Sequence, residues 1–324
     1  MKLLISDHRI YEFQVEEEHL RRLQAVSPEV EVSLARTEEE ALEMIQHVEV
    51  HFGGLSPEVF RRAKQLHWVQ TSSAGIDSLL FSEMVESDVI LTNASGAYDV
   101  PIAEHGFALM LALSRDLKGL MQDQRNKDWM NREGRMRYSG GEVTGWTVGI
   151  IGLGHIGLEV ARKAHGFGMH VLAVDPTPRE RPDFVRRIWE PEEIGAMLEQ
   201  SDVVVISAPI TPKTRGLIGE SELRRMKSTA YLINLSRGQI VSEAALVRAL
   251  KEGVIAGAGL DVMEREPLPP DSELWEMDQV LITPHVAGIS EQANRKIWEI
   301  CCDNLRRYLT DAPLQNVVDK RRGY

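Results

Sequence analysis

The chain has 324 residues, a formal net charge of −12, 43% hydrophobic and 27% charged residues. That length and balance fit about two soluble globular domains, each able to bury its own core. The acidic surplus disfavours nucleic acid as a partner, because phosphate binding needs a basic face.

Taken in order, the first hundred residues alternate between strand and helix patterns. Leu3-Leu4-Ile5-Ser6 is a strand candidate, and Val30-Glu31-Val32-Ser33-Leu34 alternates with period two. Thr37, with Glu40 three residues on, marks a helix start that runs to about Gln46. Val48 to Phe52 is a strand closed by Gly53-Gly54, and Ser56-Pro57-Glu58 opens another helix with proline at its first position. His67 to Thr71 and Val89 to Asn93 are further strands, the former running into Ser72-Ser73-Ala74-Gly75. This alternation predicts a doubly wound parallel sheet, with the turns after its strands on the edge where ligands sit.

Asp99-Val100-Pro101-Ile102 then opens a long helix expected to reach about Leu120. Phe107, Leu109, Met110, Leu111 and Leu113 make it apolar nearly all round, so burial between domains or against a second subunit is expected. Residues 122–141 are polar and arginine-rich (Arg125, Arg132, Arg135, Arg137) around Trp129. They read either as a surface loop or as an arm packed on a partner subunit.

Thr147-Val148-Gly149-Ile150-Ile151 is a buried strand that runs into Gly152-Leu153-Gly154-His155-Ile156-Gly157. A helical run follows from Leu158 to Ala164, then a second strand from His170 to Val174, closed by Asp175, 18 residues past Gly157. This strand–turn–helix–strand–acid order is the setting in which such glycines mean dinucleotide binding. The first glycine permits the bend, the second lets backbone approach a pyrophosphate, and the third packs helix on strand. The helix N-terminus then meets the phosphates. Asp175 is suited to the ribose hydroxyls and repels a 2′-phosphate, which favours NAD over NADP, although Arg179 and Arg181 lie close by. The alternative for Asp175 is a plain strand-end cap before Pro176.

Pro191 to Gln200 reads as a helix, and Asp202 to Pro209 as a continuous apolar strand buried on both faces. Ala230 to Leu235 is the next strand. Ser242 to Gly253 spans a helix, Ile255 to Val262 and Val280 to His285 complete the sheet, and a last helix runs from about Ser290 to Leu309. Arg237, Glu266 and His285 fall at or just past strand ends. Singly they are a surface arginine, a turn acid before Pro267 and a structural histidine. Together they suit carbonyl reduction. Arginine offers a planar fork for a carboxylate. Histidine passes a proton to or from the carbonyl oxygen, and a carboxylate beside it stabilises the imidazolium. No zinc ligand set is visible, so His285 and Arg237 would polarise the carbonyl in a metal's place.

Cys301 and Cys302 are adjacent, with neither bridge nor metal spacing, and read as buried thiols of a reducing compartment. The N-terminus is too short in apolar length for a signal peptide, and the longest apolar run, 107–113, falls far short of a membrane span. A cytoplasmic location without membrane contact is expected. The closing Lys320-Arg321-Arg322 reads as a solvated tail.

The ordered motifs resemble the D-isomer-specific 2-hydroxyacid dehydrogenase family over nearly the whole chain. The resemblance rests on the glycine turn with Asp175, Leu235-Ser236-Arg237-Gly238, Gly259-Leu260-Asp261-Val262 with Glu266-Pro267-Leu268, Thr283-Pro284-His285-Val286-Ala287-Gly288, and the linker Val100-Pro101-Ile102-Ala103-Glu104-His105. It implies two doubly wound parallel-sheet domains, an NAD-binding Rossmann domain (101–287) inserted in a flavodoxin-like substrate domain (1–100, completed by 288–324). It implies His285 as acid/base, Glu266 as its partner, Arg237 orienting the substrate, and amides around Ser73, Ala74 and Gly75 on the substrate carboxylate. Cofactor contacts are implied at Gly152, Gly154, His155, Ile156, Gly157, Asp175, Ala208, Leu235, Ser236, Asp261 and Gly288. A homodimer joined through the linker helix and the Trp129 arm is implied as well. The expected activity is reversible reduction of a small 2-oxoacid by NADH. The alternatives are an NAD-sensing, corepressor-like binding protein and a phosphoglycerate dehydrogenase, the latter weakened by a chain that stops soon after its last helix.

Overall fold

The computed structural model describes residues 1–6, 15–129, 141–177 and 181–323. The chain divides into two compact units, Met1–Tyr98 with Ile289–Tyr324, and Asp99–Gly288.

The first unit holds a five-stranded, all-parallel sheet. Its strands are β1 (Lys2–Ser6), β2 (Glu31–Ala35), β3 (Val50–Gly53), β4 (Trp68–Gln70) and β5 (Ile90–Thr92), in the order β2-β1-β3-β4-β5. The expected caps form: the Thr37 hydroxyl accepts from Glu40 N–H and the Ser56 hydroxyl from Val59 N–H. The helix Glu291–Leu309, capped by Ser290, is woven into this unit. Trp298 stacks on His19 at 4.3 Å, Tyr308 stacks on the fully buried Trp68, and the Asn304 amide donates to Gln70 Oε1 at 2.9 Å.

The second unit holds a seven-stranded parallel sheet made of β6 (Thr147–Ile151), β7 (His170–Val174), β8 (Val185–Trp189), β9 (Val203–Ile206), β10 (Tyr231–Asn234), β11 (Gly257–Leu260) and β12 (Val280–Ile282). The order is β12-β11-β10-β9-β6-β7-β8. The chain leaves β6 in one direction and β9 in the other, so the crevice at their carboxyl ends is the switch point where ligands of such sheets bind. One core lies on each face.

Two expectations need correction here. The long helix does not run to Leu120: it spans Asp99–Ser114, and a second helix spans Leu117–Arg125. Asp116 breaks it, sitting at φ 46 with its carboxylate accepting from Gly119 N–H. A short acid tolerates this left-handed conformation and competes for backbone N–H groups, so it caps rather than continues. The first helix's buried residues, Ala103, Phe107, Leu109 and Met110, pack in the core of their own unit. Strand β8 also has no counterpart in the sequence reading. Its paired Arg186 and Arg187 hide the period, because β8 is an edge strand with a register shift opposite Val171 and Leu172. Of the arm, Trp129 is 83% exposed. Arg132, Arg135 and Arg137 lie outside the described residues, as does Arg179. No described helix is long and apolar enough to cross a membrane.

Candidate active site

The glycine turn joins β6 to the helix His155–Gly166. Gly152 sits at φ +89, and a Cβ there would lie 2.6 Å from the Cα of Ala208, just past β9. A Cβ on Gly157 would lie 2.1 Å from the Gly152 carbonyl oxygen. These two glycines are therefore required by close approach within the protein. Gly154 differs, because nothing lies within 4 Å of its would-be Cβ. The space it leaves faces a helix N-terminus, whose first N–H groups have no partner within the helix. An open, glycine-lined cradle at a positive dipole end fits a dinucleotide pyrophosphate.

Asp175 follows β7 and is buried. Its carboxylate accepts from the N–H of Leu153 at 2.7 Å and of Thr177 at 2.8 Å. It thus caps its strand and also ties the glycine turn down. Arg181 is directed elsewhere and donates to the Val185 carbonyl. His155 opens the helix, exposed and 3.7 Å from the Asp99 carboxylate, with the half-buried Ile156 next to it. Ala208 and Leu235 are buried at the ends of β9 and β10, and the Ser236 hydroxyl donates to the Ala208 carbonyl.

Past β10, Asn234 shapes the next turn. Its side-chain oxygen accepts from Ser236 N–H at 3.2 Å, and its amide donates to the Arg237 carbonyl at 3.0 Å. The residue after β12's loop, His285, meets Glu266: Nδ1 lies 2.8 Å from Glu266 Oε2. A carboxylate only accepts, so Nδ1 carries the proton and Nε2 is the nitrogen left for other work. The other Glu266 oxygen accepts from Met263 N–H at 2.9 Å. The hydrogen bond to Glu266 raises the His285 pKa above its ordinary 6.5, against burial and the Arg237 charge, which lower it. Burial pushes the Glu266 carboxyl up, but its hydrogen bonds from His285 and Met263 and the charges of His285 and Arg237 win, and hold it below the usual value. Arg237 is thus electrically coupled to both partners, and the three residues form one group.

Sequence reasoning missed what stands behind His285. Asp261, 2% exposed, accepts from Thr283 Oγ1 at 2.6 Å and from the N–H groups of Val286 and Ala287 at 3.0 Å each. Its carbonyl accepts from His285 N–H at 2.8 Å. Gly288 closes this loop and the unit.

In the first unit, the loop after β4 has its carbonyls tied down. Ser72 accepts from the Tyr98 hydroxyl at 2.7 Å, Ser73 from Ala94 N–H at 3.0 Å, and Ala74 from the Asn93 amide at 2.9 Å. Among the described residues no acceptor meets the N–H of Ala74 or Gly75.

Residues 107–287 match the family model "D-isomer specific 2-hydroxyacid dehydrogenase, NAD binding domain". The chain belongs to this family. It is accordingly a D-2-hydroxyacid dehydrogenase with an NAD(P)-binding domain, an oxidoreductase acting on hydroxyacids. A glyoxylate reductase of Korarchaeum cryptofilum is 40% identical over 267 residues, covering 82% of this chain and 80% of the relative. A D-3-phosphoglycerate dehydrogenase of Methanocaldococcus jannaschii is 32% identical across 98% of this chain, which spans 59% of that protein. Among solved structures, a D-isomer specific 2-hydroxyacid dehydrogenase of Xanthobacter autotrophicus Py2, in complex with NADPH and MES, superposes with a TM-score of 0.85 at 31% identity over 99% of each chain. The two parallel sheets are the family's fold.

Proposed function

We propose that this dehydrogenase reduces small 2-oxoacids, of the glyoxylate, hydroxypyruvate or pyruvate kind, to D-2-hydroxyacids with NADH. The observation that carries the reading is the 2.8 Å His285–Glu266 pair under the charge of Arg237. The 40% identity to a glyoxylate reductase supports the substrate class.

Gly154 and the N–H groups of His155 and Ile156, in a turn whose shape Gly152 and Gly157 allow, would hold the pyrophosphate, and Asp175 would take the adenosine ribose. Ala208, Leu235, Ser236, Asp261 and Gly288 form the rest of the cofactor's bed. With the cofactor bound there, its reduced nicotinamide would supply hydride to the carbonyl carbon. The chain's own residues do the remainder. The guanidinium of Arg237 orients and polarises the 2-oxoacid. Protonated His285 gives its Nε2 proton to the carbonyl oxygen, and takes it back in the oxidative direction. Glu266 keeps the imidazolium stable until then. The free N–H groups of Ala74 and Gly75, beside Ser73, suit the substrate carboxylate.

Two outcomes follow. In a panel of 2-oxoacids with both cofactors, kcat/KM with NADH should exceed that with NADPH by about tenfold or more, the effect of ~1.4 kcal/mol of repulsion at Asp175. Absence of oxidation of either cofactor with every 2-oxoacid would overturn the reading. Turnover confined to 3-phosphohydroxypyruvate would favour the phosphoglycerate alternative, which the 32% match over 98% of the chain supports.

The second concerns pH. Reduction needs His285 protonated, so kcat/KM falls as pH rises through its folded pKa, above 6.5. Oxidation, which needs the neutral ring, rises over the same window. Glu266→Gln removes the largest raising influence. The descending limb should move to lower pH and the rate at neutral pH should drop by at least about tenfold. A profile identical to the wild type's would remove Glu266 from the mechanism.

A further inference from the structure

We propose that His105, on the helix Asp99–Ser114, is a positioning residue that holds the acid/base His285 in place through Thr283 and Asp261. The inference rests on the reading of His285 above.

His105 Nε2 lies 2.9 Å from Thr283 Oγ1, which lies 2.6 Å from Asp261 Oδ1. The direction of this chain follows from the chemistry of its members. Asp261 is buried and already accepts two backbone N–H groups, so it acts as an acceptor. The single hydroxyl proton of Thr283 is therefore committed to Asp261. Thr283 Oγ1 must in turn accept from His105, which fixes the proton of the His105 ring on Nε2. Every donor then points one way, from the helix through the threonine to the buried carboxylate.

What that carboxylate holds directly follows the strained part of the site. His285 sits at φ +56, in the left-handed region that non-glycine residues avoid. Such a conformation lasts only where its surroundings over-determine it. Here the Asp261 carbonyl accepts from His285 N–H, and its carboxylate accepts from the next two N–H groups of the loop, those of Val286 and Ala287. The orientation of its carboxylate is what His105 and Thr283 set. The groups acting on His285 itself are Glu266, Arg237 and Asp261. His105 touches none of the reacting atoms; it acts through Thr283 and Asp261.

The test compares His105→Leu, His105→Gln and Thr283→Val. Leucine removes the donor, glutamine restores an N–H donor at the end of a side chain of similar reach, and valine keeps the shape of threonine without its hydroxyl. Each is assayed for kcat, KM and the pH profile of 2-oxoacid reduction, and for NADH affinity by fluorescence. The His285 imidazole is titrated by NMR in the resting protein. The expected result is a kcat lowered about tenfold or more in the leucine and valine variants, as a displaced catalytic group gives. NADH affinity should stay within about twofold, and glutamine should recover most of the rate. The His285 titration should move to lower pH in the leucine variant, as contact with Glu266 loosens. Wild-type kcat and titration in both the leucine and valine variants would overturn the proposal. So would a glutamine variant as impaired as the leucine one, which would make His105 mere packing. If the wild type reduces no 2-oxoacid, the functional reading fails, while the NMR titration still decides the role of His105.

Discussion

His285→Ala is expected to lower 2-oxoacid reduction by about 10³-fold or more, within the range that general acid catalysis contributes, while NADH still binds. The imidazole supplies the proton that the carbonyl oxygen needs, and Glu266 holds that proton on the ring at pH values where a free histidine has lost it. No other described group shares the 2.8 Å contact with Glu266. Alanine also changes the backbone, since position 285 sits at φ +56, where a β-carbon is unwelcome. His285→Asn separates the two effects. Asparagine tolerates the left-handed region and keeps a polar head, yet it cannot titrate. Both variants should lose the same rate and the same pH dependence, with NADH affinity within about twofold of wild type. If the asparagine variant kept most of the turnover, His285 would be a structural residue and the proton would come from elsewhere.

Parts of this arrangement were legible in the sequence, and the reason is local spacing. The glycine turn and Asp175 form one strand–turn–helix–strand unit, so pattern and chemistry appear within thirty residues or so. The strand ends that carry Arg237, Glu266 and His285 were equally visible, because a parallel sheet buried on both faces leaves long apolar runs ending in polar turns. What the sequence hid is of three kinds. Strand β8 carries its arginines on an exposed edge, where solvent and not a core decides the residue type. Asp116 ended a helix whose apolar pattern continued past it, since capping by one side chain outweighed periodicity. The support behind His285 was hidden for a different reason. His105 and Thr283 are 178 residues apart, and only the packing of a helix on the sheet brings them to 2.9 Å. Asp261 was readable as a cofactor contact from its motif, but not as the acceptor that organises the loop, because its donors are backbone N–H groups with no signature in composition.

Gly238→Ala is expected to be the most damaging substitution outside the three reacting side chains. A Cβ on Gly238 would lie 1.8 Å from the Met263 carbonyl carbon, 1.9 Å from its oxygen and 2.3 Å from Glu264 N, all backbone atoms. No rotamer change relieves such an overlap, so two chain segments must part by about 1.5 Å, and overpacking of this kind costs about 1–3 kcal/mol. The segments are the two that matter. Gly238 directly follows Arg237, and Met263 is the residue whose N–H holds Glu266. The same face is tied by the Gln239 amide on the Glu264 carbonyl at 3.1 Å and by Glu243 N–H on the Glu264 carboxylate at 3.0 Å. One methyl group therefore separates the arginine from the carboxylate that charges His285. A misplacement of about 1 Å costs on the order of 10²-fold in rate, so kcat/KM should fall by about that much. The midpoint of thermal unfolding should fall by several degrees, roughly 2–4 °C per kcal/mol. The descending limb of the reduction profile should also shift to lower pH, as it does in Glu266→Gln, because the His285–Glu266 contact loosens when the Met263 loop moves. The glycine turn at 152–157 follows β6, with β9 between it and β10, so NADH affinity should change by less than about threefold, and the loss should appear in turnover. Wild-type turnover with an unaltered pH profile in Gly238→Ala would mean that the Arg237 turn and the Glu266 loop move independently, and that their packing does not set the chemistry.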